Sequence, residues 1–196
     1  KIKSKASVSV PKAFDVVGNT DEDEKIVTSV KDCADALFVC DTPLAKRAIT
    51  YLQSRGIGAK AINHFALGVS MKNGMITIPS FDLSLQIVYA MLRSFPDKRY
   101  QRVGKGHCLT GMYGRVGAET AVIVGGQLDA CLLWQHTSDN TAIVTLGSDN
   151  SSLDRAGYEW LLSRQRVIVA MDADDSGMAT ANKWLATIPQ AIVAPT

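Results

Sequence analysis

The run V-I-V-A-M-D-A-D-D-S-G-M-A at residues 167–179 constrains the fold more than any other stretch. A short apolar segment rich in β-branched residues reads as a buried strand. It ends in Asp172 and Asp174, Gly177 follows, and Met178, Ala181, Trp184 and Leu185 then recur at helical spacing. Strand, tight turn and helix in that order are the unit of α/β sheets, whose ligands bind in the crevice at the carboxyl ends of the strands. Two carboxylates that alternate there can project into one crevice. They repel each other unless a cation lies between them, and hard oxygen donors suit Mg²⁺. Gly177 lets the backbone turn tightly into the helix. The bland alternative is an acidic helix N-terminus, which capping and the helix dipole both favour. The short pattern alone leaves both readings open.

Three more apolar runs surround this one: A-V-I-V at 121–124, followed by Gly125 and Gly126; A-I-V-T-L at 142–146, ending in Gly147; and A-I-V-A at 191–194. Helix-length segments separate them. One lies through Leu128, Leu132 and Leu133. Another is 151–164, with Leu153, Trp160 and Leu161 as core candidates. Strands alternating with helices predict a parallel sheet covered by helices and joined by crossovers.

Residues 119–196 resemble a Toprim domain, the metal-binding catalytic module of bacterial-type primases and topoisomerases. That family's pattern is a strand ending in Glu-Gly-x-x-Asp, a strand ending in a Leu-Gly turn, then Asp-x-Asp-x-x-Gly. Here the corresponding stretches are G-G-Q-L-D at 125–129, T-L-G at 145–147 and D-A-D-D-S-G at 172–177. By this resemblance Asp172 and Asp174 match the metal-binding aspartates, Asp129 the aspartate of the first motif, and Gly126 and Gly147 its turn glycines. The family's glutamate, which is assigned metal binding or acid/base work, falls on Gly125. Glu119 sits at the other end of the same strand, about 20 Å away at ~3.3 Å per residue, and cannot replace it. Either the domain has low or no activity, or Asp129, Asp149 or Asp175 serves as a third ligand, or residue 125 has been altered.

The region upstream selects among Toprim families. Residues 51–68 (Y-L-Q-S-R-G-I-G-A-K-A-I-N-H-F-A-L-G), 74–79 (G-M-I-T-I-P), 85–93 (L-Q-I-V-Y-A-M-L-R), 98–106 (K-R-Y-Q-R-V-G-K-G) and 109–111 (L-T-G) follow one another as in the RNA-polymerase core of bacterial or phage-type DNA primases. Their order and spacing, across most of residues 43–196, carry this resemblance. Arg93, Lys98, Arg99, Arg102 and Lys105 cluster there, interleaved with Phe95, Tyr100 and glycines. By themselves such charges read as a solvated hairpin. Beside a metal site they suit triphosphates and a DNA backbone, and Gly104 and Gly106 would let a phosphate approach the backbone around Lys105.

The composition sets outer bounds. A length of 196 residues with 46% apolar content suits one medium domain or two small packed ones. The net charge of +2 makes any nucleic-acid surface local rather than global. No apolar run is long enough to span a membrane, and residues 1–12 carry lysines without the apolar core of a signal peptide. Cys33, Cys40, Cys108 and Cys131 lack Cys-x-x-Cys spacing, so they read as reduced, mostly buried thiols rather than zinc ligands. Residues 1–30 read as a linker or an edge strand, 17–24 as a turn and a solvated acidic stretch, and 31–40 as either helix or strand. Thr42 and Pro43 predict a cap and first turn for a helix through Leu52. Of the histidines, His64 reads as a packing or surface residue and His136 as a surface residue at a helix end, while His107 could touch a phosphate.

The expected fold is therefore α/β. A small mixed α/β subdomain over 1–115 precedes a Toprim-like parallel sheet flanked by helices over 116–196. The resemblance implies a nucleotidyltransferase that makes short RNA primers on a single-stranded DNA template from ribonucleoside triphosphates. Asp172 and Asp174 would hold Mg²⁺ or Mn²⁺, Asp129 would take part in catalysis, and Arg93, Lys98, Arg102 and Lys105 would hold nucleotide or DNA phosphates. It further implies a cytoplasmic replication protein of a bacterium or a phage-infected cell. Such proteins usually carry a zinc module ahead of this region, so the chain resembles a fragment or a member that lacks one, with a fused or separate replicative helicase as a partner and no membrane partner. Gly125 raises an alternative, a degenerate Toprim module that binds single-stranded DNA without polymerising. A Toprim nuclease or topoisomerase part fits less well, since neither Tyr113 nor Tyr158 sits in a nucleophile's context.

Overall fold

Antiparallel pairing builds the first part of the molecule and parallel pairing most of the second. A computed structural model of the chain describes residues 21–104, 112–137, 140–145 and 155–194. In chain order these form α1 (Asp21–Phe38), α2 (Pro43–Ser54), α3 (Ala59–His64), β1 (Gly68–Val69), β2 (Ile76–Phe81), β3 (Ile87–Arg93), β4 (Tyr100–Val103), β5 (Met112–Gly114), β6 (Thr120–Val124), α4 (Gln127–Trp134), β7 (Thr141–Thr145), α5 (Arg155–Leu162), β8 (Arg166–Ala170), α6 (Asp175–Thr187) and β9 (Ala191–Val193). The sheet β1-β2-β3-β4 is antiparallel throughout. In the second sheet, β5-β7-β6-β8-β9, the last four strands run parallel and β5 pairs with β7 antiparallel. The second sheet is thus mixed rather than all-parallel, because the short β5 closes its edge.

The parallel strands form where β-branched runs predict them. β6 and β7 bury four of five residues each, with only their first residues partly exposed. Strands covered on both faces by helices need such continuous apolar runs. α2 begins as its sequence indicates, with Pro43 in the first turn and the Thr42 hydroxyl accepting the Ala45 amide at 3.1 Å. The ambiguous 31–40 segment is helical through Phe38, and the acidic run at 21–24 opens the same helix. Val30, Ala34 and Leu37 recur at helical spacing and are buried. Their stripe rests on β1 so closely that a Cβ on Gly68 would fall 2.5 Å from the Ala34 amide nitrogen. The middle of the basic stretch 98–106 forms β4, hydrogen-bonded to β3 as the second arm of a hairpin.

One apolar core runs through both sheets. Tyr113 on β5 is fully buried, donates its hydroxyl to the Pro79 carbonyl of β2 at 2.7 Å, and meets Phe65 and Phe81 edge-on. That hydrogen bond ties one sheet to the other. Tyr113→Phe is expected to lower stability by about 1 kcal/mol, the typical net worth of one buried hydrogen bond. A shift of the urea midpoint at unchanged slope would show it. Among the described residues no helix is long and apolar enough to cross a membrane.

Candidate nucleotide and nucleic-acid site

The order β7-β6-β8 places a switch point between β6 and β8, since the chain leaves β6 for one side of the sheet and β8 for the other. Crevices at such points lie outside the carboxyl ends of the strands. Val124 and Ala170 are in register at those ends, so Gly125 and Met171 follow side by side. A Cβ on Gly125 would meet nothing nearer than the Met171 sulfur at 4.0 Å. The position that holds glutamate in the Toprim pattern is thus open space.

Asp172 follows directly and its residue is exposed. Asp174 is the N-cap of α6, and its Oδ1 accepts the Gly177 amide at 2.8 Å. The capping reading therefore holds for one oxygen of Asp174, and the cap fixes where that carboxylate sits. Asp175 lies in the first turn of α6 and is exposed. Gly177 packs onto the Asp172 backbone, and a Cβ there would overlap the Asp172 carbonyl oxygen.

Asp129, in the first turn of α4, is half-buried. Its Oδ1 lies 3.5 Å from Nη2 of Arg55, the residue that ends α2. Burial pushes the Asp129 carboxyl above the ordinary range; Arg55 pulls it back, Asp172 pushes it up, and Arg93 and Lys98 pull it down. One aspartate thus lies within electrostatic reach of another carboxylate and three cations, drawn from α2, β3, the β3–β4 loop and the turn after β8. Asp172, Arg93 and Lys98, chosen from sequence, act on Asp129 electrostatically. Arg55 is the addition, and its only local sign was the Arg-Gly turn, where Gly56 adopts a φ of 78°.

Arg93 is 3% exposed at the end of β3. Its Nε donates to the Tyr100 hydroxyl at 3.0 Å, and its guanidinium lies 5.1 Å from the Tyr51 ring centre and 5.6 Å from that of Tyr100. Its Nη1 is buried and without a protein partner. A buried orphan donor on a cation is costly, and it marks where a ligand oxygen would be accepted. Arg102 on β4 is exposed, with its guanidinium 4.0 Å from the Tyr89 ring centre. Tyr100 is 56% exposed. Beside it opens a groove of about 440 Å³ walled in part by Phe95, Arg99, Tyr100 and Asn73. Neither Tyr51 nor Tyr100 was singled out as a site residue, because ring partners of an arginine 42 and 7 residues away leave no periodic signal.

Lys105, Gly106, His107, Cys108, Gly147 and Asp149 lie outside the described residues. His64 packs as expected, stacked on Trp134 at 4.2 Å, and burial and Lys60 lower its basicity. Cys131 is buried and Cys33 half-buried, but Cys40 is exposed, because it follows the end of α1. Among the described residues no group of three His, Cys, Asp or Glu side chains could hold a metal ion. Asp172 and Asp174 still fit Mg²⁺, which keeps waters and commonly takes one or two carboxylates plus substrate phosphates.

These features define a class: an α/β domain with acidic strand ends at its switch point, joined to a smaller antiparallel sheet that supplies cations. Residues 119–193 match the Toprim domain family. The chain shares its fold with catalytic cores of primases. Against the RNA polymerase domain of Mycobacterium tuberculosis primase DnaG the TM-score is 0.69 at 16% identity, over 91% of this chain and 76% of that one. Against the E. coli primase catalytic core it is 0.66 at 16% identity, over 88% and 72%. Against the primase fragment of the bacteriophage T7 primase-helicase it is 0.57 at 17% identity, over 74% and 64%. A search of curated protein sequences finds no match.

Proposed function

We propose that this chain is a primase-type catalytic core, making short RNA primers on single-stranded DNA from ribonucleoside triphosphates. The observation that carries this reading is a Toprim fold on which Arg55 pairs with Asp129 at 3.5 Å and Arg93 keeps a buried Nη1 without a protein partner. Asp172 and Asp174 would hold Mg²⁺ or Mn²⁺, which neutralises charge on triphosphate oxygens when bound. The buried Nη1 of Arg93 donates to a phosphate oxygen, while Lys98, Arg102 and Lys105 hold further phosphates of the triphosphate or template. Asp129 accepts the proton of the attacking hydroxyl as pyrophosphate leaves, and Arg55 keeps its carboxylate in place. Two structural relatives bear on the partners: the M. tuberculosis primase is also known in complex with a double-stranded DNA oligomer bearing a 6-nucleotide overhang, and the T7 fragment comes from a primase-helicase. The same partners, a DNA strand and a replicative helicase in a bacterial or phage-infected cytoplasm, are proposed here.

Gly125 favours a second reading, single-stranded DNA binding without polymerisation. Synthesis of labelled primers on single-stranded DNA, by the native chain and by Gly125→Glu, decides between them. The vacant space at residue 125 admits the side chain. The variant is expected to keep its melting temperature and to raise synthesis by ~10²-fold, the usual worth of a positioned acid/base group. No synthesis by either chain, with DNA still bound, would replace the catalytic reading by the binding one.

A further inference from the structure

One described cleft lies away from the carboxylates. It holds about 560 Å³ between α3, the β5–β6 connection and the end of α4. Its walls include Lys60, His64, Arg115, Trp134, Gln135 and Thr141. Thr141 begins β7 and pairs with Thr120 at the start of β6, so the cleft opens at the amino ends of the strands. Five-residue strands set it roughly 15 Å from the Asp172 end. Small-molecule sites are concave, run from ~300 to ~1,000 Å³, and favour the seams between structural units.

The cleft is built and firm. The Gln135 side chain spans the seam, accepting the Gly58 amide at 2.7 Å and donating to the Gly56 carbonyl at 3.0 Å. His64 stacks on Trp134, and Phe65 meets both rings edge-on at 4.7 Å and 5.0 Å. His64 and Trp134 thus form a two-ring stack at the cleft, braced from the side by Phe65. Lys60 lies 5.3 Å from the Trp134 ring centre. Lys60 and Arg115 are exposed, and no described lining residue is acidic. The ends of α3 and α4 face this region, and each helix end carries about half a negative charge at most. Two full positive charges outweigh them.

We propose that this cleft is a second nucleotide site, taking a mononucleotide with its ring against the His64–Trp134 wall and its phosphates on Lys60 and Arg115. It stands independently of the reading given to the carboxylate site. Phosphates gain from two charge-assisted contacts, and a base that extends the His64–Trp134 stack loses water from one face. Such a site would let a nucleotide act on the seam between the two sheets without occupying the switch-point crevice.

The test is calorimetric titration of ADP into the full chain in EDTA. The Lys60→Ala/Arg115→Ala variant is compared with Lys72→Ala/Lys183→Ala, which removes two exposed lysines elsewhere. Loss of the cleft cations is expected to weaken ADP by ~10-fold or more, as removal of charge-assisted hydrogen bonds does, while the second variant retains binding. Hydrogen exchange in the native chain is expected to slow at residues 114–117 and 134–137 when ADP is added. Unchanged affinity in the Lys60/Arg115 variant, an equal loss in the Lys72/Lys183 variant, or no binding in EDTA would overturn the proposal. Inorganic phosphate binding as tightly as ADP would overturn its nucleotide part, since the aromatic wall would then contribute nothing.

Discussion

Asp172→Asn is expected to cut metal-dependent primer synthesis by ~10³-fold or more while leaving the fold intact. The substitution is nearly isosteric and the residue is exposed, so unfolding should shift by less than ~0.5 kcal/mol. What is lost is negative charge at the strand end, where a hard cation takes anionic oxygen donors. The same substitution removes a charge that raises the Asp129 pKa, so Asp129 should titrate at lower pH in the variant. Primer synthesis measured across Mg²⁺ and Mn²⁺ concentrations reads the first effect. Carboxyl titration followed by NMR reads the second, whatever the chain's activity. Unchanged synthesis at every metal concentration would remove Asp172 from the site.

Gly177→Ala should unfold the chain more readily by ~3 kcal/mol or more. At an ordinary helix position this exchange stabilises by up to ~1 kcal/mol, because alanine loses less backbone entropy. Here the sign reverses. The new methyl would overlap the Asp172 carbonyl oxygen and lie within 3.0 Å of the Asp172 nitrogen. Both are backbone atoms held at the end of a strand, so neither rotates away. α6 would have to lift, withdrawing Ala181 and Trp184 from the core and breaking the Asp174 cap. Burial lost from one helix face and a lost cap together account for the expected size. Urea unfolding measures it. An unchanged or raised midpoint would mean that the Asp172 turn yields easily, and that the carboxylate is less firmly placed than its contacts indicate.

The strand–helix alternation from residue 120 onward was legible because β6 and β7 are buried almost throughout, and β8 stays apolar even at its half-buried positions. β6, β7 and β8 therefore show as unbroken β-branched runs that a single sequence reveals. The α2 cap and the Asp174 cap were legible for a similar reason: the bonding partners lie three residues away. β5 escaped notice because three residues carry too little pattern and their partner, β7, lies about thirty residues on. The 21–38 helix was obscured by its acidic opening, which reads equally well as a solvated loop.

The candidate site divides along the same line. Asp172, Asp174 and the vacancy at Gly125 follow from chain order, since a turn at a strand end puts adjacent residues into one crevice. Arg55 against Asp129 and the rings that enclose Arg93 depend on how α2 and β3 pack against α4. So do the cleft walls that α3 and α4 share. The sequence by itself determined the parallel strand–helix succession and the carboxylates at its strand ends, because burial periodicity and capping are local and act over a few residues. The tertiary structure alone decided which cations face those carboxylates and which faces enclose a cleft. Those pairings join segments tens of residues apart, brought together by a shared core that leaves no local trace.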